Sequence, residues 1–306
     1  MAGYARSGRA RPLSFYLLAL FFLLFVLFLY GPMLTIIILS FQGPEGGLTF
    51  PMNGVSTYWF SKLMEGVGVI DIWSAFGRSI RLGLVVMVLT VVLSVMAGLA
   101  YRKRFFGATL IFYLVVAGLI VPSIVVSFGI GLEFRLLDDQ IKAYGDANSV
   151  DWIIRQFTTS MGLFSSALGA HLTWTLPFGL LIMFAVFNRF KKSYEEAARD
   201  LGASPWQTFR YVTLPIIGPS LIGVALFGFT LSYDELARSS QAVGDLNTLP
   251  LELRGLTTTV TTPEIYALGT LTTAVSFIVI FTTLLIILYL RRRRARQGSD
   301  AGQGMV

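Results

Sequence analysis

The sequence contains no cysteine, a single histidine and few charged residues. Without cysteine neither a disulfide nor a thiolate metal site can form, and His171 alone cannot supply a histidine cluster, so we predict no metal site. Charged residues make up 13% of the 306 residues, whereas 55% are hydrophobic. A soluble domain carries about 25% charge, because its surface must be solvated. The composition therefore predicts an all-α polytopic membrane protein.

Long apolar runs support that class. A membrane-spanning helix needs about 20 mostly apolar residues, and each charge at the bilayer centre costs about 2.5–3.5 kcal/mol. Six runs meet both conditions and predict six transmembrane helices: 13–39, 82–101, 105–132, 163–187, 214–233 and 265–290. The first run is about twice as long as the apolar core of a signal peptide and no cleavage site follows it, so we expect a retained anchor.

The charges between the runs predict the orientation. With the N-terminus placed in the cytoplasm, the inner segments hold 16 Lys or Arg and 4 Asp or Glu, against 8 and 13 elsewhere. The positive-inside rule then places both termini in the cytoplasm. The net charge of +7 belongs to one membrane face, which argues against a nucleic-acid partner. The inner segments are 1–12, 102–104, 188–213 and the basic tail 291–306; the first outer loop is 40–81.

The inner segment 188–213 has two helix-start signals. Ser193 and Glu196 have the spacing of a capping box, and Glu195 and Glu196 favour the positive end of a helix dipole. Gly202 is placed to end this helix. A second short helix is predicted from a cap, a first-turn proline and a box glutamine: Ser204, Pro205 and Gln207. A structured connector and a docking helix for another protein are both compatible with these residues.

The same segment carries a longer pattern. Glu196-Ala197-Ala198, three residues, Gly202, nine residues and Val212-Thr213-Leu214-Pro215 resemble the EAA loop of bacterial binding-protein-dependent ABC importers. The only departure is Val212 for isoleucine. The resemblance covers 82–290, the expected permease core, and implies the type I ABC importer permease fold with a coupling helix that seats in an ATPase subunit. It assigns coupling to Glu195, Glu196, Ala197, Ala198, Gly202, Leu214 and Pro215.

ATP hydrolysis is expected on another chain. A phosphate-binding P-loop needs Gly-Lys-Ser or Gly-Lys-Thr, and none of the five lysines follows a glycine. No convergent acid, base and nucleophile appear either, so we predict no catalytic residue, no enzyme activity and no cofactor in this chain, with ATP and Mg bound by the partner. The resemblance implies ABC ATPase subunits, a second permease (a copy or a paralogue), a periplasmic solute-binding protein and a multi-pass location in the bacterial inner membrane.

Three further stretches bear on the solute. Residues 169–178, 230–235 and 248–268 contain sequences that resemble the spermidine/putrescine branch of the family, which implies a polyamine. The path of a polycation would use carboxylates and aromatic faces. The candidates are Trp174, Tyr233, Asp234, Glu235 and Glu133; ordinary solvated span ends are the competing interpretation. His171 is expected to be a hydrogen-bonded packing residue.

Several alternatives stay open. Within the same class of importer, the alternatives to a polyamine as the solute are a thiamine-like cation, an amino-acid derivative and a metal complex. From another class, a stand-alone secondary carrier or channel would show repeats, broken helices and buried ionisable groups, whereas the span centres here are free of charge. A membrane scaffold without transport activity is the third alternative.

Overall fold

The computed structural model describes residues 12–66, 71–259 and 263–296, and within them the chain forms helices with no strand beyond one isolated bridge. A π-helical turn, Phe209–Thr213, joins the ninth helix to the tenth. The α-helices in chain order are α1 (Leu13–Leu39), α2 (Tyr58–Glu65), α3 (Ile72–Ala100), α4 (Ala108–Ala117), α5 (Ser123–Asn148), α6 (Asp151–Gln156), α7 (Ser166–Arg189), α8 (Ser193–Asp200), α9 (Pro205–Thr208), α10 (Leu214–Tyr233), α11 (Leu249–Thr259) and α12 (Pro263–Arg296).

Five of the described helical segments are long and apolar enough to cross a membrane: Leu13–Leu39, Ile72–Ala100, Ser166–Arg189, Pro205–Tyr233 and Pro263–Ile286. A sixth apolar helix, α4, is shorter. The polytopic α-helical class is therefore confirmed, while the count of six spans and the cytoplasmic termini stay predictions. The N-terminal segment 1–11 and the end of the basic tail, 297–306, lie outside the described residues.

The third apolar run differs from the continuous helix expected over 105–132. It is divided between α4 and α5, with Gly118 after α4 and Pro122 before α5. Proline has no N–H to donate and disfavours helical conformation in the residue before it, which separates the two helices. The helix α5 then continues to Asn148 and occupies about half of the segment 133–162 between the third and fourth apolar runs, and α6 lies in the same segment.

One compact unit consists of residues 12–66 with 263–274. The helix α1 is apolar around its whole circumference, and most of its side chains are exposed, as in a helix that faces lipid or another subunit. After α1 the side chain of Gln42 holds the loop, since its amide donates to the Gly47 carbonyl at 2.8 Å and accepts from the Asn53 N–H at 2.8 Å.

The second unit consists of residues 71–259 with 275–296. Its centre is formed by α3, α7 and α10, which pack against one another. Hydroxyls of Thr90 and Thr175 share a hydrogen bond of 2.7 Å between α3 and α7. Membrane helices rely on such bonds and on small residues, because lipid provides no hydrophobic force to drive helices together. The main buried apolar cluster is Val95, Met183, Val186, Phe187, Phe190, Ile217 and Val224.

Gly179 on α7 provides a test of this packing. A Cβ at this position would collide with the Ser94 hydroxyl on α3, whereas a Cβ at Gly169 on the same helix meets open space. We expect Gly179→Ala to destabilise the protein by about 1–3 kcal/mol, as overpacking does, and Gly169→Ala to have little effect. Thermal unfolding of the detergent-purified chain measures the difference; equal stabilities of the two variants would contradict the packing.

Candidate functional site

The helix α8 begins differently from the sequence expectation. The residue before it, Lys192, already has helical angles (φ −60°, ψ −26°), and Ser193 is the first helical residue without a side-chain cap bond. An N-cap side chain reaches the first turn only from an extended backbone. The expected capping box of Ser193 and Glu196 is therefore wrong, because the helix starts one residue too early for it.

The end of α8 and the start of α9 agree with the prediction. Gly202 has φ +85°, which suits glycine, and its N–H donates to the Arg199 carbonyl at 2.8 Å while that of Ala203 donates to Ala198 at 3.0 Å. These two bonds form a Schellman motif. The capping box of Ser204 and Gln207 is present, with Pro205 at the start of α9. The turn between the two helices is thus fixed by hydrogen bonds on both sides.

Glu195 faces into the protein and makes an ion pair that joins three elements. Arg102, which follows α3, donates to both carboxylate oxygens of Glu195, at 2.8 Å and 2.7 Å. The hydroxyl of Thr213, directly before α10, donates to the same carboxylate at 2.6 Å. Paired parallel hydrogen bonds between guanidinium and carboxylate fix direction as well as distance. The carboxylate therefore ties α8 to the ends of α3 and α10.

Aromatic rings complete this cluster. The Arg102 guanidinium lies 5.2 Å from the ring centre of Phe187 and 5.1 Å from that of Phe190, and both rings are buried. The Arg102 hydrogen bonds outweigh burial and, together with the one from Thr213, lower the pKa of Glu195 below its usual range. Because this pKa is depressed in the folded state, the stabilisation is complete above the ordinary glutamate pKa and is lost as the pH falls through the depressed value.

Other side chains of the same loop are exposed, and several of them are apolar. Glu196 and Ala197 face outward on α8. Leu201 is 90% exposed, Trp206 65% and Tyr211 71%. Large apolar side chains with this exposure are candidates for contact with another protein or with lipid. The expected coupling residues are therefore divided, with Glu195 turned inward and Glu196 outward.

The candidate path residues Trp174 and Glu235 meet at a buried arginine that the sequence analysis did not select. The Arg238 guanidinium lies over the Trp174 ring, 4.9 Å from its centre, and the Glu235 carboxylate accepts the backbone N–H of Arg238 at 2.9 Å. The Arg238 side chain is fully buried. Its guanidinium also donates to the Gly118 carbonyl at 3.0 Å, the Ser123 hydroxyl at 3.3 Å and the Thr173 hydroxyl.

The other candidate path residues lie apart from that cluster. Tyr233 is buried and stacks on Phe229 with ring centres 5.6 Å apart, and its hydroxyl has no hydrogen-bond partner within the described part of the chain. Asp234, just after α10, is exposed. Glu133 is exposed on α5, about 9 Å further along that helix than Ser127, whose hydroxyl donates to the Arg238 carbonyl.

The expectation that His171 is a packing residue is confirmed. Its two ring nitrogens lie 2.8 Å from the Ser232 hydroxyl and 2.9 Å from the Ser239 hydroxyl, and the ring is buried. The Ser239 hydroxyl donates its own proton to the Glu235 carbonyl at 2.6 Å. The Ser239 hydroxyl oxygen therefore accepts a hydrogen bond from Nε2–H of His171, and Nδ1 of His171 accepts one from the Ser232 hydroxyl. The histidine thus joins α7 to the segment after α10.

Comparison with known proteins identifies the family. The model of the family described as binding-protein-dependent transport system inner membrane component matches residues 90–297. The chain belongs to this family. The permease is 29% identical over 280 residues to the putrescine transport system permease protein PotI of Escherichia coli strain K12, covering 90% of this chain and 92% of PotI. It is 26% identical over 261 residues to the spermidine/putrescine transport system permease protein PotC of the same strain, covering 85% and 89%.

A solved structure supports the fold. The permease resembles a chain in the crystal structure of a bacterial ABC transporter involved in the import of the acidic polysaccharide alginate, with a TM-score of 0.53 and 15% identity over 96% of this chain and 99% of that one. The expected type I ABC importer permease fold is confirmed. The family and the relatives are transport permeases rather than enzymes, as expected.

No signal in the sequence identified the role of the partly buried Arg102 or of the buried Arg238. Arg102 lies in a run of three basic residues, and such runs usually mark a solvated span end. Its partner Glu195 is 93 residues away. Arg238 lies in a polar stretch after the fifth apolar run, and the Gly118 carbonyl it binds is 120 residues away. Both roles depend on tertiary contacts that spacing along the chain does not encode.

Adjacent glutamates test the inward ion pair. Glu195→Gln removes the charge that holds Arg102, and we expect it to lower the stability of the permease by about 1.5–3 kcal/mol, the range for hydrogen bonds to charged groups. Glu196→Gln makes the same chemical change on the exposed side and is expected to have almost no effect. Thermal unfolding at neutral pH distinguishes them. The Glu195→Gln deficit should shrink in acid, and a deficit shared by both variants would refute the pairing.

Proposed function

We propose that the permease is the membrane-spanning subunit of an ATP-driven importer of putrescine or a related polyamine in the bacterial inner membrane. It receives the solute from a periplasmic binding protein and works with a second permease, a copy or a paralogue, and with two ATPase subunits that bind ATP and Mg. The names of the relatives PotI and PotC support the polyamine. The observation that supports the coupling role is the loop 188–213, which exposes the apolar side chains of Leu201 and Trp206 and is ion-paired to the end of α3 through Glu195.

The loop has the mechanical properties that coupling requires. A force applied to the exposed side chains of Leu201 and Trp206 reaches the bundle through a turn that the Schellman motif and the capping box hold rigid. From α9 the chain continues without a gap through the π-helical turn into α10, so that Pro205–Tyr233 is one helical segment. The carboxylate of Glu195 transmits the same displacement to α3.

The docking surface is tested by charged substitutions. Burying one leucine side chain contributes about 1.5–3 kcal/mol, so Leu201→Asp and Trp206→Asp should each weaken ATPase association at least about tenfold. Co-purification of the ATPase with the permease, measured beside ATP-dependent uptake of labelled putrescine in proteoliposomes, should fall for both variants. The matched control is Leu246→Asp, which changes a leucine that is 58% exposed outside this loop. Undiminished ATPase association in the two loop variants would contradict the coupling role.

The absence of native cysteine allows the orientation to be tested directly. Ser204→Cys introduces the only thiol of the chain on an exposed residue of the loop. A membrane-impermeant maleimide should label it in inverted membrane vesicles and leave it unlabelled in intact cells, since the ATPase works in the cytoplasm. Labelling of intact cells would place the loop on the wrong side for coupling. Proteoliposomes with the complete transporter that hydrolyse ATP but take up no polyamine would contradict the solute assignment alone.

A further inference from the structure

The buried guanidinium of Arg238 has unusual partners. No carboxylate within residues 12–66, 71–259 and 263–296 forms an ion pair with it. Its hydrogen bonds go to a carbonyl and two hydroxyls instead, on Gly118, Ser123 and Thr173. Burying a charge is costly unless an opposite charge or several good hydrogen bonds compensate it. Ionisable groups inside a membrane bundle are therefore functional candidates by default.

These partners form a general binding cage for a cation. The Trp174 ring offers the aromatic face that attracts guanidinium and ammonium groups alike. The Gly118 carbonyl is the C-cap of α4, and the C-terminus of a helix carries a partial negative charge. Hydroxyl oxygens of Ser123 and Thr173 supply further acceptors. None of these groups is specific for arginine, so the cage would also hold a protonated amine.

The cage lies where transport proteins bind their solutes. Trp174 is about 12 Å along α7 from its first residue, well inside a membrane-spanning helix. Gly118 and Ser123 flank the break between α4 and α5. In membrane proteins, non-helical backbone at such depth occurs where it is buried in protein or lines a cavity, and unwound carbonyls of broken helices bind cations in transporters. Arg238 covers these acceptors in this structure.

We propose that the cage formed by Gly118, Ser123, Thr173 and Trp174 is a cation site on the solute path, which the Arg238 guanidinium fills while no solute is bound. This inference deepens the proposed function and rests on it for the identity of the solute. An ammonium group of the solute displaces Arg238 and takes over its cation–π contact and its carbonyl acceptor. Because the arginine is tethered beside the cage, it competes with the solute, and the solute binds only to the fraction of molecules in which the cage is free.

Removing the tethered competitor tests the cage without knowledge of the solute. In the complete transporter, Arg238→Ala should bind methylguanidinium saturably, with a change in tryptophan fluorescence that disappears in Arg238→Ala combined with Trp174→Phe. The wild type should respond only at much higher methylguanidinium concentration, because the tethered arginine competes for the cage. Arg135→Ala removes an exposed arginine on α5 and is the matched control. If Arg238→Ala does not fold, Arg238→Gln is titrated, because its shorter side chain places an uncharged amide near the position of the arginine Nε, beside Ser123, and leaves no charge over the ring. A folded variant without saturable binding overturns the proposal.

Uptake separates this inference from the proposed function. The apparent KM for putrescine should fall at least about threefold in Arg238→Ala, since the solute no longer competes with a tethered cation. An unchanged KM beside clear methylguanidinium binding would remove the cage from the solute path and overturn that part. If even the wild-type transporter takes up no putrescine, the polyamine assignment fails, and the methylguanidinium titration alone decides whether the cation site exists.

Discussion

The ion pair between Arg102 and Glu195 is the contact on which the arrangement of the loop depends. It joins a residue just after α3 to the first turn of α8, and Thr213 extends it to α10. The loop is also held by apolar packing, since Phe190 belongs to the buried cluster of the bundle and Phe209 packs against it. The Arg102 guanidinium lies near the buried rings of Phe187 and Phe190, and a partly buried pair is screened by salt less than an exposed one. The loop is therefore fastened to the end of α3 by a charged contact and to the bundle by apolar packing.

The loop is stiff along its length as well as attached to the membrane-spanning helices, and different contacts provide these two properties. Gly202 and Ser204 fix the turn between α8 and α9 through backbone-directed hydrogen bonds, which tolerate little bending. The π-helical turn Phe209–Thr213 lies at the junction with α10, and single π turns often mark functional positions within helices. Deformation is therefore expected at this junction with α10 rather than in the turn between α8 and α9.

The sequence alone predicted the features that depend on local composition. The bounds of α1 and α10, Leu13–Leu39 and Leu214–Tyr233, coincide with their apolar runs because lipid selects uninterrupted apolar residues. The cap at Ser204 was predicted and that at Ser193 was not borne out, although both have a suitable box residue. The difference is the backbone before each helix, which is extended at Ser204 and already helical at Lys192. Tertiary packing sets that conformation, and spacing along the chain does not report it.

Arg102 and Arg238 show why the site residues were predicted only in part, and their contacts suggest different roles. Arg102 pairs with a carboxylate, so releasing it would leave two opposite charges without partners, and the contact serves as a permanent joint. Arg238 pairs with neutral oxygens and a ring, so another cation can replace it and leave every partner satisfied. Net charge is conserved by such an exchange within the cage. The two contacts thus differ in the charge of the group that the arginine binds. Arg102 binds a carboxylate and suits a lasting contact, whereas Arg238 binds neutral groups and suits a site that a second cation can enter.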